Sequence, residues 1–261
     1  MTQAHAILGS GIDTHVDILI GSLALRLISN DSSILTSASR RYQGFHGARK
    51  NPFSIRVDRE LAGTEDQGAF VCDFESARVV ADSSRAHFSG VRHEYALDSL
   101  LRMFLTWALL PEDGFLLHAA SIVRNGKAFV FVGRSGAGKS TVASLSPRGS
   151  VLTDEISLIK NVDGEWRAFG TPFWGEFRAE GANISAPLGG IFRLVQFPEI
   201  RIESLRPREL LKSLLPCVLF FSSALGDHHR LLQILASTSQ EIPGYNLKFQ
   251  RNPSFWEVLP A

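Results

Sequence analysis

The run Gly133, Arg134, Ser135, Gly136, Ala137, Gly138, Lys139, Ser140, followed by Thr141, has the spacing G-x-x-x-x-G-K-[ST]. Residue types in this order can hold the phosphates of a nucleotide. The glycines let successive backbone N–H groups turn inward around an anion, a curvature that side chains would obstruct. A helix begun just after them adds N–H donors at its N-terminus. Lys139 can reach β- and γ-phosphate oxygens, and Ser140 can offer its hydroxyl to Mg²⁺. All nine residues are therefore candidate ATP contacts, with Ser140 a candidate metal ligand.

Asp154 and Glu155 follow the apolar triplet VLT, fifteen residues after Lys139. The strand VLTDEISLI comes directly after the loop's own helix and is expected to lie beside the loop's strand. Asp154 would then sit near Mg²⁺ and the γ-phosphate, where it can hold the metal or take the proton of an acceptor hydroxyl. If the strand continues through Glu155, that side chain points to the opposite face and supports metal or structure in a kinase. In an ATPase the glutamate would instead orient a water. His118, between Leu117 and Ala119, reads either as a core histidine or as a group facing the site.

No N-K-x-D stretch for guanine recognition and no LSGGQ-like stretch occurs, which argues against a Ras-like GTPase and an ABC ATPase. Three readings remain open from the residues: a kinase, a P-loop ATPase acting on a protein partner, and a non-catalytic nucleotide sensor. The aromatic loop TPFWGEFR can cover such a site, with Glu176 and Arg178 as its polar groups. Asp227 reads as a helix N-cap, and the adjacent His228 and His229 point apart, against a metal site. Arg206, Arg208 and Lys212 read as a solvated helix face.

These groups need elements to hold them. Residues 1–93 read as a β-rich lobe without a long helical period, with strands at HVDILIG, LALRLI, PFSIRV, GAFVCDF and ARVVAD. Residues 94–261 begin with YALDSLLRMFLTWALL, whose apolar spacing predicts a helix ended by Pro111 and Gly114. Asn125-Gly126 and Asp163-Gly164 predict tight hairpins. IFRLVQF reads as a strand, RPRELLKSLLPCVLFF as mostly helix, DHHRLLQILASTSQEI as helix, and YNLKF with FWEVL as the close. Alternating strands and helices argue for an α/β fold.

The chain has 261 residues, 44% hydrophobic and 20% charged, with a net charge of +1. That balance excludes disorder and gives no footprint for nucleic acid or an anionic membrane. Two distant cysteines make neither a disulfide framework nor a zinc site. No basic n-region precedes an apolar core at the N-terminus, and no apolar run reaches the ~20 residues of a membrane helix. A cytoplasmic protein is expected, as a monomer or a homo-oligomer.

Taken in order, LLHAASIVRNGKAFVFVGRSGAGKST, VLTDEISLI and GTPFWGEF resemble the HPr kinase/phosphorylase family. They resemble still more the shorter HPr-kinase-related proteins found beside peptide-modification genes. The similarity extends over about residues 95–261, including IPGYNLKF and SFWEVL. It implies a P-loop kinase core of phosphoenolpyruvate-carboxykinase/HPr-kinase type, and phosphorylation of a serine-bearing protein or peptide with ATP and Mg²⁺. It implies that His118 faces the phosphates, that Lys139 and Ser140 contact phosphate and metal, and that Asp154 is the base. Glu155 stands where the family carries a second aspartate, and residues 1–93 stand where the regulators carry a longer domain.

Overall fold

The computed structural model describes residues 15–62, 68–147, 149–173, 175 and 183–260. It is a mixed α/β protein built on two sheets. The first is six-stranded, from β1 (His15–Ile20), β2 (Leu23–Ile28), β3 (Phe53–Val57), β4 (Phe70–Phe74), β5 (Ala77–Ala81) and β6 (Arg85–Ser89). Its order is β1-β2-β3-β6-β5-β4. The parallel step from β2 to β3 is made through α1 (Ser32–Arg41).

That helix of ten residues was not read in a lobe expected to be β-rich and without a long helical period. Asp31 caps it by accepting from the Ser33 amide at 2.9 Å, and Ile34, Leu35 and Ala38 form its buried stripe. Three apolar positions among serines and a threonine make too short a period to read in the sequence. Strand β6 was hidden for the same reason, since only Ala86 and Phe88 mark its buried face.

Helix α2 (Glu94–Ala108) starts where the His93 ring accepts from the Ala96 amide at 3.2 Å. It buries Leu97, Leu100, Leu101, Phe104 and Leu105 and packs on β4 and β5. The second sheet then begins with β7 (Gly114–Arg124) and β8 (Lys127–Val132). Asn125 and Gly126 both take positive φ in the turn between them, as a two-residue hairpin requires. Next come α3 (Lys139–Ser144), β9 (Val151–Thr153), β10 (Ile156–Val162), β11 (Glu165–Phe169) and β12 (Ser185–Gln196). The remaining elements are β13 (Arg201–Leu205), α4 (Pro207–Leu214), β14 (Val218–Leu219), α5 (Leu225–Glu241), β15 (Gly244–Phe249) and α6 (Phe255–Val258).

The main path of this sheet runs β11-β10-β7-β8-β12-β15-β13, and β11 also pairs with β12. Five strands, β7, β8, β12, β11 and β10, thus close on themselves. Two sequence expectations fail here. Residues after Pro216 form β14, which pairs with β7, instead of extending helix α4. Asp227 does not cap α5. The N-cap is Ala224, and Asp227 accepts from the Ser222 hydroxyl at 2.5 Å within the first turn.

One hydrophobic cluster joins the two sheets: it holds Ile18, Leu27, Ile55 and Phe88 together with α2, with Leu116, Ile156 and Leu158 of the larger sheet, and with Phe173 in the segment after β11. Buried charge accompanies it. Asp98 on α2 is 4% exposed, pairs with Arg41 at 2.5 Å and accepts from the Tyr42 hydroxyl at 2.7 Å. Removing one partner of such a pair leaves an uncompensated charge. Asp98→Ala is expected to cost about 3–5 kcal/mol of stability. Tyr42→Phe is expected to cost about 1.5–3 kcal/mol. Urea unfolding measures both, and losses below 1 kcal/mol would contradict this account.

Candidate functional site

Strand β8 is buried along Ala128, Phe129, Val130, Phe131 and Val132, and runs straight into the loop Gly133–Ser140. A rigid strand therefore aims the loop. At Gly138 φ is +111°, and an added Cβ would stand 2.6 Å from the Phe249 ring. Glycine alone fits both the conformation and the space. The loop is braced from the end of β12, where the Gln196 side-chain amide donates to the Gly136 carbonyl at 2.8 Å. The Ala137 amide donates to the Arg134 carbonyl at 3.0 Å. The α3 amides of the first turn have no partner within their own helix.

Lys139 is buried, at 7% exposure, and its Nζ donates to the Gly133 carbonyl at 3.0 Å. Burial lowers the pKa of its ammonium, while Cys217 and Glu155 act to raise it. His118 projects from the middle of β7. Its neighbours Leu117 and Ala119 are fully buried, yet His118 is exposed. It is therefore no core histidine. Partial burial, with the charges of Lys139 and Arg102, lowers its pKa below 6.5.

The acid pair departs from the sequence expectation in two ways. The strand carrying it lies beside β7, so β7 stands between it and β8. That strand is also interrupted at Asp154 and Glu155, between β9 and β10. The Thr153 hydroxyl accepts from both the Glu155 and the Ile156 amides at 3.3 Å, turning the chain before β10 resumes. Glu155 consequently does not point to the far face. Asp154 and Glu155 line one concavity of about 450 Å³ with His118, Ser135, Gly136, Gly138, Lys139, Ser140 and Thr141. Asp154 is 4% exposed. Burial raises the pKa of Glu155, Arg102 opposes that, and Asp154 adds to it.

Of the predicted loop residues, Gly133, Arg134 and Ala137 do not line this space. Ala137 packs down toward Phe249 and Phe255, Arg134 is exposed, and Gly133 offers its carbonyl to Lys139. Two further residues line it: Gly175, from the TPFWGEFR loop expected to cover the site, and Arg251, which was not foreseen. The Gly175 amide donates to Asp154 Oδ1 at 3.1 Å, and an added Cβ there would stand 2.8 Å from Asp154 Oδ2. The contact of the TPFWGEFR loop is thus its glycine; Glu176 and Arg178 lie outside the described residues. Arg251 follows β15 in the turn QRNPS, where nothing in the sequence marked it. His228 and His229 do not converge: one meets the Ala224 carbonyl and the other Gln233. Among the described residues no group of three or more His, Cys, Asp or Glu could hold a metal ion, and no helix is long and apolar enough to cross a membrane.

The family described as SynChlorMet cassette protein ScmC matches residues 97–260. No curated protein matches the chain. Among solved structures, the Hpr(Ser) kinase/phosphatase from Coxiella burnetii is similar at a TM-score of 0.33 and 12% identity, covering 55% of this chain and 92% of that one. A likeness that distant carries no argument about activity.

His118 sets a pH dependence. Its native pKa lies below 6.5, so on acidification the unfolded chain binds the proton first and the fold loses stability below about that pH. Proton NMR should place the His118 midpoint under 6.5, with an upward shift in Lys139→Met. A midpoint at or above 6.5 in the unaltered protein would contradict the placement.

Proposed function

The chain belongs to the SynChlorMet cassette protein ScmC family, and we propose that it is an ATP- and Mg²⁺-dependent kinase. The acceptor is the serine hydroxyl of a protein, a peptide or a small molecule. The observation that supports this most is the convergence of Lys139, Ser140, His118, Asp154 and Glu155 on one concavity beneath the glycine-rich loop. The order of motifs along the chain points the same way.

The residues present fit Mg²⁺. Hydroxyl and carboxylate oxygens of Ser140 and Asp154 suit a hard cation, and one or two carboxylates with substrate phosphates commonly suffice for it. When bound, Mg²⁺ supplies charge neutralisation at the β- and γ-phosphate oxygens. The loop amides and Lys139 bind the phosphates, and Lys139 exchanges its Gly133 carbonyl for a phosphate oxygen. His118, exposed in the concavity beside Lys139, donates a hydrogen bond toward the same charge. Asp154 takes the proton of the acceptor serine as the oxygen of that serine forms its bond to the γ-phosphorus. The bond from the γ-phosphorus to the β–γ bridging oxygen breaks, and ADP leaves.

One observation favours a second reading. Because the strand bends, Glu155 shares the concavity with Asp154, where a glutamate can orient a water for hydrolysis. An ATPase is therefore the competing function.

Lys139→Met removes the buried cation, and ATP affinity should fall at least tenfold by calorimetry with the thermal unfolding profile retained. Wild-type affinity in the folded variant would mean that the loop is not the phosphate site. The two acids separate the readings. In the kinase, Asp154→Asn should lower phosphoryl transfer by roughly 10²–10⁴-fold with ATP still bound, and Glu155→Gln should cost less. Reversal of that order, read on acceptor phosphorylation and on acceptor-free hydrolysis together, would favour the ATPase.

A further inference from the structure

We propose that Arg102, on helix α2, is a positioning residue for the carboxylate pair Asp154–Glu155, and that through it the N-terminal sheet holds the geometry of the site. The proposal rests on the kinase reading above and deepens it. Arg102 does not line the concavity; it stands behind it. Its Nη2 lies 3.7 Å from Glu155 Oε2, with the two side chains 24% and 29% exposed. Its guanidinium also lies over the Phe173 ring, 5.0 Å from the centroid. Phe173 is fully buried, and two residues on the Gly175 amide donates to Asp154. One side chain thus touches Glu155 directly and props the segment that orients Asp154.

The other end of the arrangement is equally fixed. Arg102 follows Asp98 by one helical turn on α2. Asp98 is clamped by Arg41 at 2.5 Å and by Tyr42 at 2.7 Å, both from the end of α1. The apolar side of α2 belongs to the same cluster as β1, β2, β3, β5 and β6. The position of α2, and so of Arg102, is therefore set by the first sheet. Two adjacent carboxylates repel each other at close range. Lys139, His118 and Arg251 line the same concavity, while Arg102 approaches Glu155 from behind it, with Arg41 a weaker influence from the same side. At 3.7 Å the contact with Glu155 is longer than a hydrogen bond. Arg102 Nε is buried without a hydrogen-bonding partner among the described residues. Charge and ring contact, and not the planar fork of the guanidinium, hold this side chain, so a lysine should replace it.

The test uses the full chain with Arg102→Gln, Arg102→Lys and Glu155→Gln, alone and combined, each checked for a retained unfolding transition. Removing a residue that orients the groups around a metal costs about 10- to 100-fold. Arg102→Gln should lower kcat for ATP turnover by that factor with little change in KM, Arg102→Lys should restore most of it, and in the Glu155→Gln background the loss should shrink to under threefold. The Mg²⁺ concentration at half-maximal ATP binding, read by calorimetry without turnover, should rise in Arg102→Gln. Wild-type kcat in folded Arg102→Gln, or an undiminished loss in the Glu155→Gln background, would overturn the proposal. If the unaltered protein turns over no ATP in the presence of a serine-peptide library, the kinase reading fails by itself. The Mg²⁺ midpoint then decides the positioning role: a rise in Arg102→Gln supports it, and an unmoved midpoint overturns it.

Discussion

A lysine ammonium buried beneath a loop of peptide carbonyls is the feature on which the rest of the site depends. Desolvating a charge is costly, and Lys139 meets it with the carbonyl of Gly133 and with Cys217 and Glu155 beyond. Neutral carbonyls compensate an ammonium less well than an anion does, so the site is poised for a negatively charged ligand. Everything around Lys139 preserves that condition. Strand β8 is packed on both faces, since Ala128, Phe129, Val130, Phe131 and Val132 are all buried. Phe249 leaves no room for a side chain at Gly138. Gln196 pins the loop at its tip.

Strand β7 is the structural spine. Its eleven residues pair with β8, β9, β10 and β14, and His118 emerges from its centre. The same strand gives Leu116 to the cluster shared with the first sheet and Leu117 to a second cluster shared with α4 and α5. A single strand therefore couples the N-terminal sheet, the ring and the site. The ion pair between Asp98 and Arg41 runs alongside that coupling, and ties α1 to α2 where both side chains are largely buried.

Much of the candidate site could be read in the sequence because its local spacing is dictated by local chemistry. A glycine-rich turn of fixed length must precede a lysine and a hydroxyl, and that pattern stands in the chain from Gly133 to Ser140. The hairpins at Asn125-Gly126 and Asp163-Gly164 were legible because both residues of each take positive φ. What escaped was long-range or weakly periodic. Gly175 meets Asp154 across twenty-one positions, and Arg102 meets Glu155 from another helix; no local pattern encodes either. The break at Asp154 was missed because VLTDEISLI reads as one apolar run, and a threonine hydroxyl interrupts it. Helix α1 was missed because Ser and Thr dilute its apolar stripe.

The central claim is that the concavity moves a γ-phosphoryl group to a serine oxygen. Incubating the protein with Mg²⁺, a serine-peptide library and ATP carrying ¹⁸O in the γ-phosphoryl group, then following the label by mass spectrometry, tests it most directly. The account predicts labelled phosphoserine that disappears when EDTA removes the Mg²⁺. Label recovered solely in inorganic phosphate, at a rate indifferent to the peptides, would contradict it.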